Sequence, residues 1–305
     1  MSNMRMTFCG QQFQNPIVTA SGTFSAAGSG RFYDFSRLGA VTTKGVSSDP
    51  WPGNPTPRIA ETRSGMLNAI GLENPGAERF IAEELPLIRE KTAASETKII
   101  VNVAGKCIDG YICAAEMLNA ADVDMLELNI SCPNIKAGGI TFGTSAPVAA
   151  KVVEAVRRVV TKPLIVKLSP NVTDITEIAR AAEASGADAV SLINTLTGMR
   201  IDVKKRRHML ANKIGGLSGP AVLPVAVRMV SQVAGAVKIP ILGMGGIMSG
   251  TDAAEFLMAG ASAVAVGTAA LVDPAAPVRI LDELKDFMTE YGFADIEEVK
   301  NGLQI

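Results

Sequence analysis

The chain has 305 residues, 48% of them apolar, and sets 29 Lys and Arg against 30 Asp and Glu. That length suits one large α/β domain or two ordinary ones, and a net charge of −1 gives no electrostatic basis for binding nucleic acid or an anionic membrane. Four scattered cysteines without a CxxC pair argue against disulfides, and one histidine, His208, leaves little for a metal site or a Ser–His or Cys–His dyad.

The N-terminal stretch MSNMRMTFCGQQFQNP lacks the apolar core of a signal peptide. Two short β-rich runs follow, PIVTAS (16–21) and GAVTTK (39–44), and then a Pro- and Gly-rich interval over 46–76. Further runs come at 98–105, 125–131, 164–169, 189–195, 239–246 and 263–269, making eight. Each is continuously apolar rather than alternating, as parallel strands covered by helices are. Between them lies the helical period. In 173–188, Ile175, Ile178, Ala179 and Ala182 share a face, Thr173 or Asp174 can cap the start, and Gly186 can end it. The phrases LGAV (38–41), SGADAV (185–190) and AGASAV (259–264) repeat a helix exit in which a Gly stops a helix before the next strand.

Eight βα units predict a single (β/α)8 TIM barrel over 1–305, with a doubly wound open sheet as the alternative. Insertions at about 46–76, 131–146 and 196–220 are expected to be active-site loops at the C-terminal face of the strands, and the intervals 46–76 and 196–220 are too long for plain crossovers. The basic cluster KKRRH (204–208) within the last reads as a solvated loop. The uncharged run 256–272 falls short of the ~20 residues of a membrane span and reads as a buried helix, turn and strand. The chain is expected to be soluble and cytoplasmic.

The polar residues fall in a pattern. Ser21, Lys44, Asn102, Asn129, Lys167 and Asn194 each stand at or near the C-terminal end of a different predicted strand, so a barrel would gather them at one mouth. Each alone is an ordinary strand terminus; six together suggest a site. Strands seven and eight end in GMGGI (243–247) and VGT (266–268), each before a helix, with GGLSG (215–219) as a further glycine approach. Backbone N–H groups there suit a phosphate-bearing cofactor, while the absence of GxGxxG with a downstream acid speaks against a Rossmann dinucleotide site. A flavin meets these needs, with Lys167 as the cation beside its reduced anion. Cys132, between Ser131 and Pro133, is the candidate base for a carbon-bound proton, a thiol of pKa near ~8.5 that neighbouring cations would lower. Cys9, Cys107 and Cys113 read as small buried apolar residues.

The phrases ELNISCPN, MLNAIGLENPG, VKLSPNV, INTLTGMRID, ANKIGGLSGPA and GMGGI…AVAVGT resemble dihydroorotate dehydrogenase over about residues 5 to 300, and look most like the catalytic subunit of its NAD-linked, two-subunit subclass. The resemblance implies oxidation of dihydroorotate to orotate in pyrimidine biosynthesis. Cys132 would take the C5 proton and FMN the C6 hydride, and Lys44 would meet both flavin and substrate. It implies that Asn68, Ala69, Ile70, Gly71 and Leu72 hold the orotate carboxylate, and that Asn129, Asn134, Asn194 and Thr195 bond the pyrimidine ring. For FMN it implies Ser21, Lys44, Gly45, Asn102, Asn129, Lys167 and Ile193, with Gly219, Gly245, Gly246, Gly267 and Thr268 towards the phosphate. It further implies a homodimer of this chain within a heterotetramer, whose partner subunit carries FAD and a [2Fe–2S] cluster. A cysteine base excludes the membrane-associated quinone-linked type but not the fumarate-linked homodimeric one. A non-redox phosphate-binding barrel, an isomerase or a binding scaffold, is the reading from another class.

Overall fold

All eight predicted runs form strands that pair in parallel, each with its successor in the sequence. The computed structural model describes residues 3–131, 136–137 and 140–304. The strands are β1 (Ile17–Thr19), β2 (Ala40–Thr42), β3 (Lys98–Val103), β4 (Met125–Asn129), β5 (Leu164–Lys167), β6 (Ala189–Leu192), β7 (Ile241–Met244) and β8 (Ala263–Val266), and β8 pairs with β1 to close the barrel. The fold is therefore a (β/α)8 barrel rather than an open sheet.

The helix predicted over 173–188 runs from Ile175 to Ala184, and Asp174 rather than Thr173 caps it, accepting from the Thr176 N–H at 2.8 Å. Such a cap contributes about 1 kcal/mol. Its buried face is Ile175, Ile178, Ala179 and Ala182, and each Ile adds about 1.5–3 kcal/mol by leaving water. Gly186 and Gly260 follow their helices with φ of +93° and +108°. Gly39 differs: it follows a single 3₁₀ turn, Phe35–Arg37, and a Cβ there would lie 2.0 Å from the Asn15 carbonyl oxygen, so close backbone approach excludes any side chain.

Two of the apolar clusters among the described residues build the barrel. The larger packs strands against helices through residues such as Ile99, Val101, Leu126 and Leu128. The smaller fills the barrel with the alternate set, including Ile100, Met125, Ile165, Ala189 and Leu242. Phe8 and Phe13 close its N-terminal end from a hairpin of Met6–Phe8 and Gln11–Phe13, their rings 5.6 Å apart. Cys9 and Gly10 form the two-residue turn, both with positive φ as a type I′ turn requires. Further along the same inward faces the residues become polar: Asn102, Glu127, Asn129, Lys167 and Ser191, all buried.

The insertions 46–76 and 196–220 are not separate loops. Leu196–Met199, Ile214–Ser218, Gly65–Asn68 and Ile59–Thr62 pair in that order as one antiparallel sheet across the C-terminal mouth. The basic cluster lies on an outlying hairpin, Ile201–Asp202 with Arg207–His208, and Lys204 to His208 are exposed. In the insertion 131–146, Lys136–Ala137 pairs with Ile140–Thr141. Cys107 and Cys113 are free and exposed, which corrects their reading as buried residues; both sit at the solvent side of the helix Ile108–Ala120 or its start. No helix among the described residues is long and apolar enough to cross a membrane.

Candidate active site

The polar layer of the barrel is built strand by strand. Parallel register sets Asn102 of β3 opposite Glu127 of β4, and Asn129 of β4 opposite Lys167 of β5, which in turn faces Ser191 of β6. Glu127, wholly buried, accepts from Asn102 Nδ2 at 2.6 Å and from Ser191 Oγ at 2.7 Å, and lies 3.8 Å from Lys167 Nζ. Above it the bonds continue. Asn129 Nδ2 donates to Asn102 Oδ1 at 3.3 Å, Ser131 Oγ donates to Asn129 Oδ1 at 2.8 Å, and Asn194 Nδ2 donates to Ser131 Oγ at 2.5 Å. The Asn129 and Asn194 amides, which line the cavity, each have a second N–H that can serve a ligand.

This layer floors a cavity of about 600 Å³ between the barrel mouth and the antiparallel sheet, within the ~300–1,000 Å³ usual for small-molecule and cofactor sites. Lys44 and Lys167 bring two cations to it, and Ala20, Met244 and Ala265 supply apolar surface. Burial depresses the Lys44 ammonium, the charge of Glu73 opposing that effect. Asn54 shapes the segment 68–72 from behind: its N–H donates to Ile70 O and its Nδ2 to Ala69 O, both at 3.0 Å. Those carbonyls are thereby turned onto Asn54, and Gly71 and Leu72 both take positive φ.

At the other end, Gly246 has φ +88°, and a Cβ there would lie 2.8 Å from Leu223 N and 3.0 Å from Gly219 O. Thr268 Oγ1 donates to Ser218 Oγ at 2.8 Å. An apolar bed, amide and ammonium groups along it and a glycine-built end together fit a flavin mononucleotide: a flat ring system, hydrogen-bonding edges and a phosphate.

Of the residues singled out from the sequence, Ser21, Lys44, Gly45, Asn129, Lys167 and Ile193 line the cavity, as do the whole of 68–72, Asn194 and Thr195, and Gly245, Gly246, Gly267 and Thr268. Asn102 and Gly219 do not. Asn102 is fully buried one layer below, and Gly219 packs behind, where a Cβ would lie 2.7 Å from Gly65 Cα. Cys132 and Asn134 lie outside the described residues.

Four contributors escaped sequence reading. Glu127 stands in the phrase ELNISCPN with nothing local to mark it as a partner of three other strands. Asn171 ties the segment after β6, donating to Thr195 O at 3.0 Å and accepting from Thr197 N at 2.9 Å. Met66 and Ile214 reach the cavity only because the two insertions pair; the GGLSG phrase was the one local signal of that. Cys9 is partly buried, its thiol pushed up to about 12 by burial and then by Asp188, which disfavours the thiolate there.

Comparison with known proteins places this geometry in a family. A family model described as dihydroorotate dehydrogenase matches residues 3–288. A protein of Lachnoclostridium phytofermentans, named dihydroorotate dehydrogenase B (NAD(+)), catalytic subunit, is 56% identical over 301 residues, 97% of this chain and 98% of its own. Proteins of the same name from Alkaliphilus metalliredigens and Bacteroides thetaiotaomicron are 54% and 49% identical, over 99% and 100% of both chains. With the match spanning nearly its whole length, this chain belongs to the dihydroorotate dehydrogenase family.

Proposed function

We propose that the chain is the catalytic subunit of an NAD-linked dihydroorotate dehydrogenase, oxidising dihydroorotate to orotate in pyrimidine biosynthesis. The observation that carries this reading is the cavity itself. Lys44, Lys167 and the amides of Asn68, Asn129 and Asn194 converge on one space at the barrel mouth, in a chain whose full-length relatives bear that name. The same name favours NAD+ over fumarate as final acceptor.

FMN, when bound, supplies the two-electron acceptor for the hydride leaving the substrate. The chain's own residues bind, orient and shield. Gly245, Gly246, Gly267 and Thr268 would hold the phosphate through backbone N–H groups and a hydroxyl. Lys167 would hold its ammonium beside the ring and favour negative charge there. The segment 68–72 and Lys44 would take the substrate carboxylate, and Asn129, Asn134, Asn194 and Thr195 the amide edges of the pyrimidine. Such a polar site rejects analogues that leave its groups unpaired. Cys132, following Ser131 in the chain, would remove the C5 proton. The antiparallel sheet would cover part of the cavity and limit the access of water to it.

Electrons would leave through a partner subunit carrying FAD and [2Fe–2S], in a cytoplasmic heterotetramer built on a homodimer of this chain. The test is anaerobic addition of dihydroorotate to the FMN-reconstituted chain. Bleaching of the flavin absorbance with one orotate formed per flavin is expected; a chain that takes up no FMN, or a flavin that stays oxidised, would sink the proposal. NAD+ reduction should then require the co-expressed partner subunit, whereas rapid fumarate reduction by the chain alone would overturn the NAD-linked assignment.

A further inference from the structure

Glu127 is a fully buried carboxylate that does not touch the cavity. Every group bonded to it comes from another strand: Asn102 from β3, Lys167 from β5 and Ser191 from β6. A buried carboxylate is expensive unless paired and hydrogen-bonded, and an apolar side chain in its place commonly serves stability as well or better. Towards the barrel's N-terminal end the inward positions are apolar, with Met125 two residues before it and Ile165 directly opposite on β5, while Asn102 opposite on β3 and Asn129 two residues on are neutral amides. The charge is therefore spent at one level only, directly beneath the cavity floor.

We propose that Glu127 is the positioning residue of that floor, a buried counter-ion that holds Lys167 in place and sets how much positive charge the floor presents to the flavin. The inference rests on the FMN reading above. Lys167 lines the cavity and Glu127 does not, so the pair turns its positive end towards the ligand while its net charge stays zero. Ser191 and Asn102 occupy both carboxylate oxygens, so Glu127 cannot swing towards or away from the ammonium. Without the carboxylate, the same ammonium would act as an uncompensated cation in a low-dielectric site, where charge interactions are strongest.

The test uses the FMN-loaded chain and three variants: E127Q, K167M and the double variant. The readout is the midpoint potential of the bound flavin, measured for all four proteins at one common pH. E127Q should shift the potential upward, K167M should shift it downward, and the double variant should lie between the two. A purely structural role would lower the thermal stability of both single variants without moving the potential in opposite directions. An unchanged or lowered potential in E127Q with FMN still bound overturns the inference and leaves the FMN reading intact. A wild-type chain that binds no FMN overturns both. If a single variant fails to fold, recovery of folding in the double variant supports the pairing, and failure to recover refutes it.

Discussion

Asn102 donates its Nδ2 to Glu127 Oε2 at 2.6 Å and presents its Oδ1 to Asn129 Nδ2 at 3.3 Å. An ionised carboxylate only accepts, so the orientation of Asn102 is forced. Asn129 must then face it with nitrogen and turn its oxygen to Ser131, which leaves Asn194 donating to the Ser131 hydroxyl. One buried charge thus fixes the polarity of three amides, on β3, on β4 and at the exit of β6, including two expected to meet the substrate. Asn102→Asp keeps the shape and reverses the logic, because two buried carboxylates would meet with one ammonium nearby. We expect a loss of about 3 kcal/mol or more near neutral pH. The sign with pH follows: the new pair holds a proton to a raised pKa, so the native variant binds more protons than the unfolded chain. Its deficit should be small near the ordinary Asp value of ≈3.9 and grow as pH rises through the raised value. Urea denaturation of variant and wild type across that range checks this, and a pH-independent deficit would contradict it.

Lys44 shows the cost of a site held ready for an anion. Burial lowers its pKa below the ordinary lysine value. Between the depressed value and ≈10.4 the unfolded chain binds more protons than the native one, so this group's contribution makes stability rise with pH in that window. Below it, the charged form is penalised. Lys44→Met should therefore raise the melting temperature of the ligand-free chain at neutral pH while abolishing most turnover, a trade common at active sites. The gain should shrink as pH approaches 10.4. Thermal melts of the two apo chains at neutral and alkaline pH test it; a destabilised variant at neutral pH would mean that the pairing with Glu73 outweighs burial.

The barrel was legible because its strands are short, continuous apolar runs separated by helical periods, signals that depend only on near neighbours. The polar strand ends were legible for the same reason once eight strands were counted. The sheet over the mouth was not, since Gly65–Asn68 pairs with Ile214–Ser218 across almost half the chain, and the Pro and Gly content of both insertions suggested loops. Glu127 was visible as a residue but not as a partner. Only the register that sets it beside Asn102 and near Lys167 and Ser191 reveals it as an anchor. The hairpin plug was missed because its strands are three residues long and its Cys-Gly turn is an unusual choice for the type.

Cys132 can be tested as the base without reference to its surroundings. Cys132→Ser should retain FMN, with an unchanged flavin spectrum, and lose most turnover near pH 7, because a serine hydroxyl is a far weaker proton acceptor at that pH. Partial recovery at alkaline pH is expected, and full activity at neutral pH would remove Cys132 from the role.

Gly246 offers a test of the phosphate end that leaves the chemistry alone. Alanine there must adopt φ +88° and place a methyl group 2.8 Å from Leu223 N and 3.0 Å from Gly219 O. Both contacts are backbone, so neither neighbour can rotate away. The strain in such a backbone conformation costs about 1–2 kcal/mol, and relieving the clash must shift the glycine segment away from Leu223. Gly246→Ala should therefore weaken FMN binding by at least about tenfold, the equivalent of roughly 1.4 kcal/mol, while the protein that does bind FMN reduces it at close to the normal rate. Fluorescence titration of the apo-protein gives the first quantity and single-turnover bleaching the second. Unaltered affinity would place the phosphate elsewhere in the cavity, and a large loss in the bleaching rate would show that Gly246 also governs how the ring sits over Lys167.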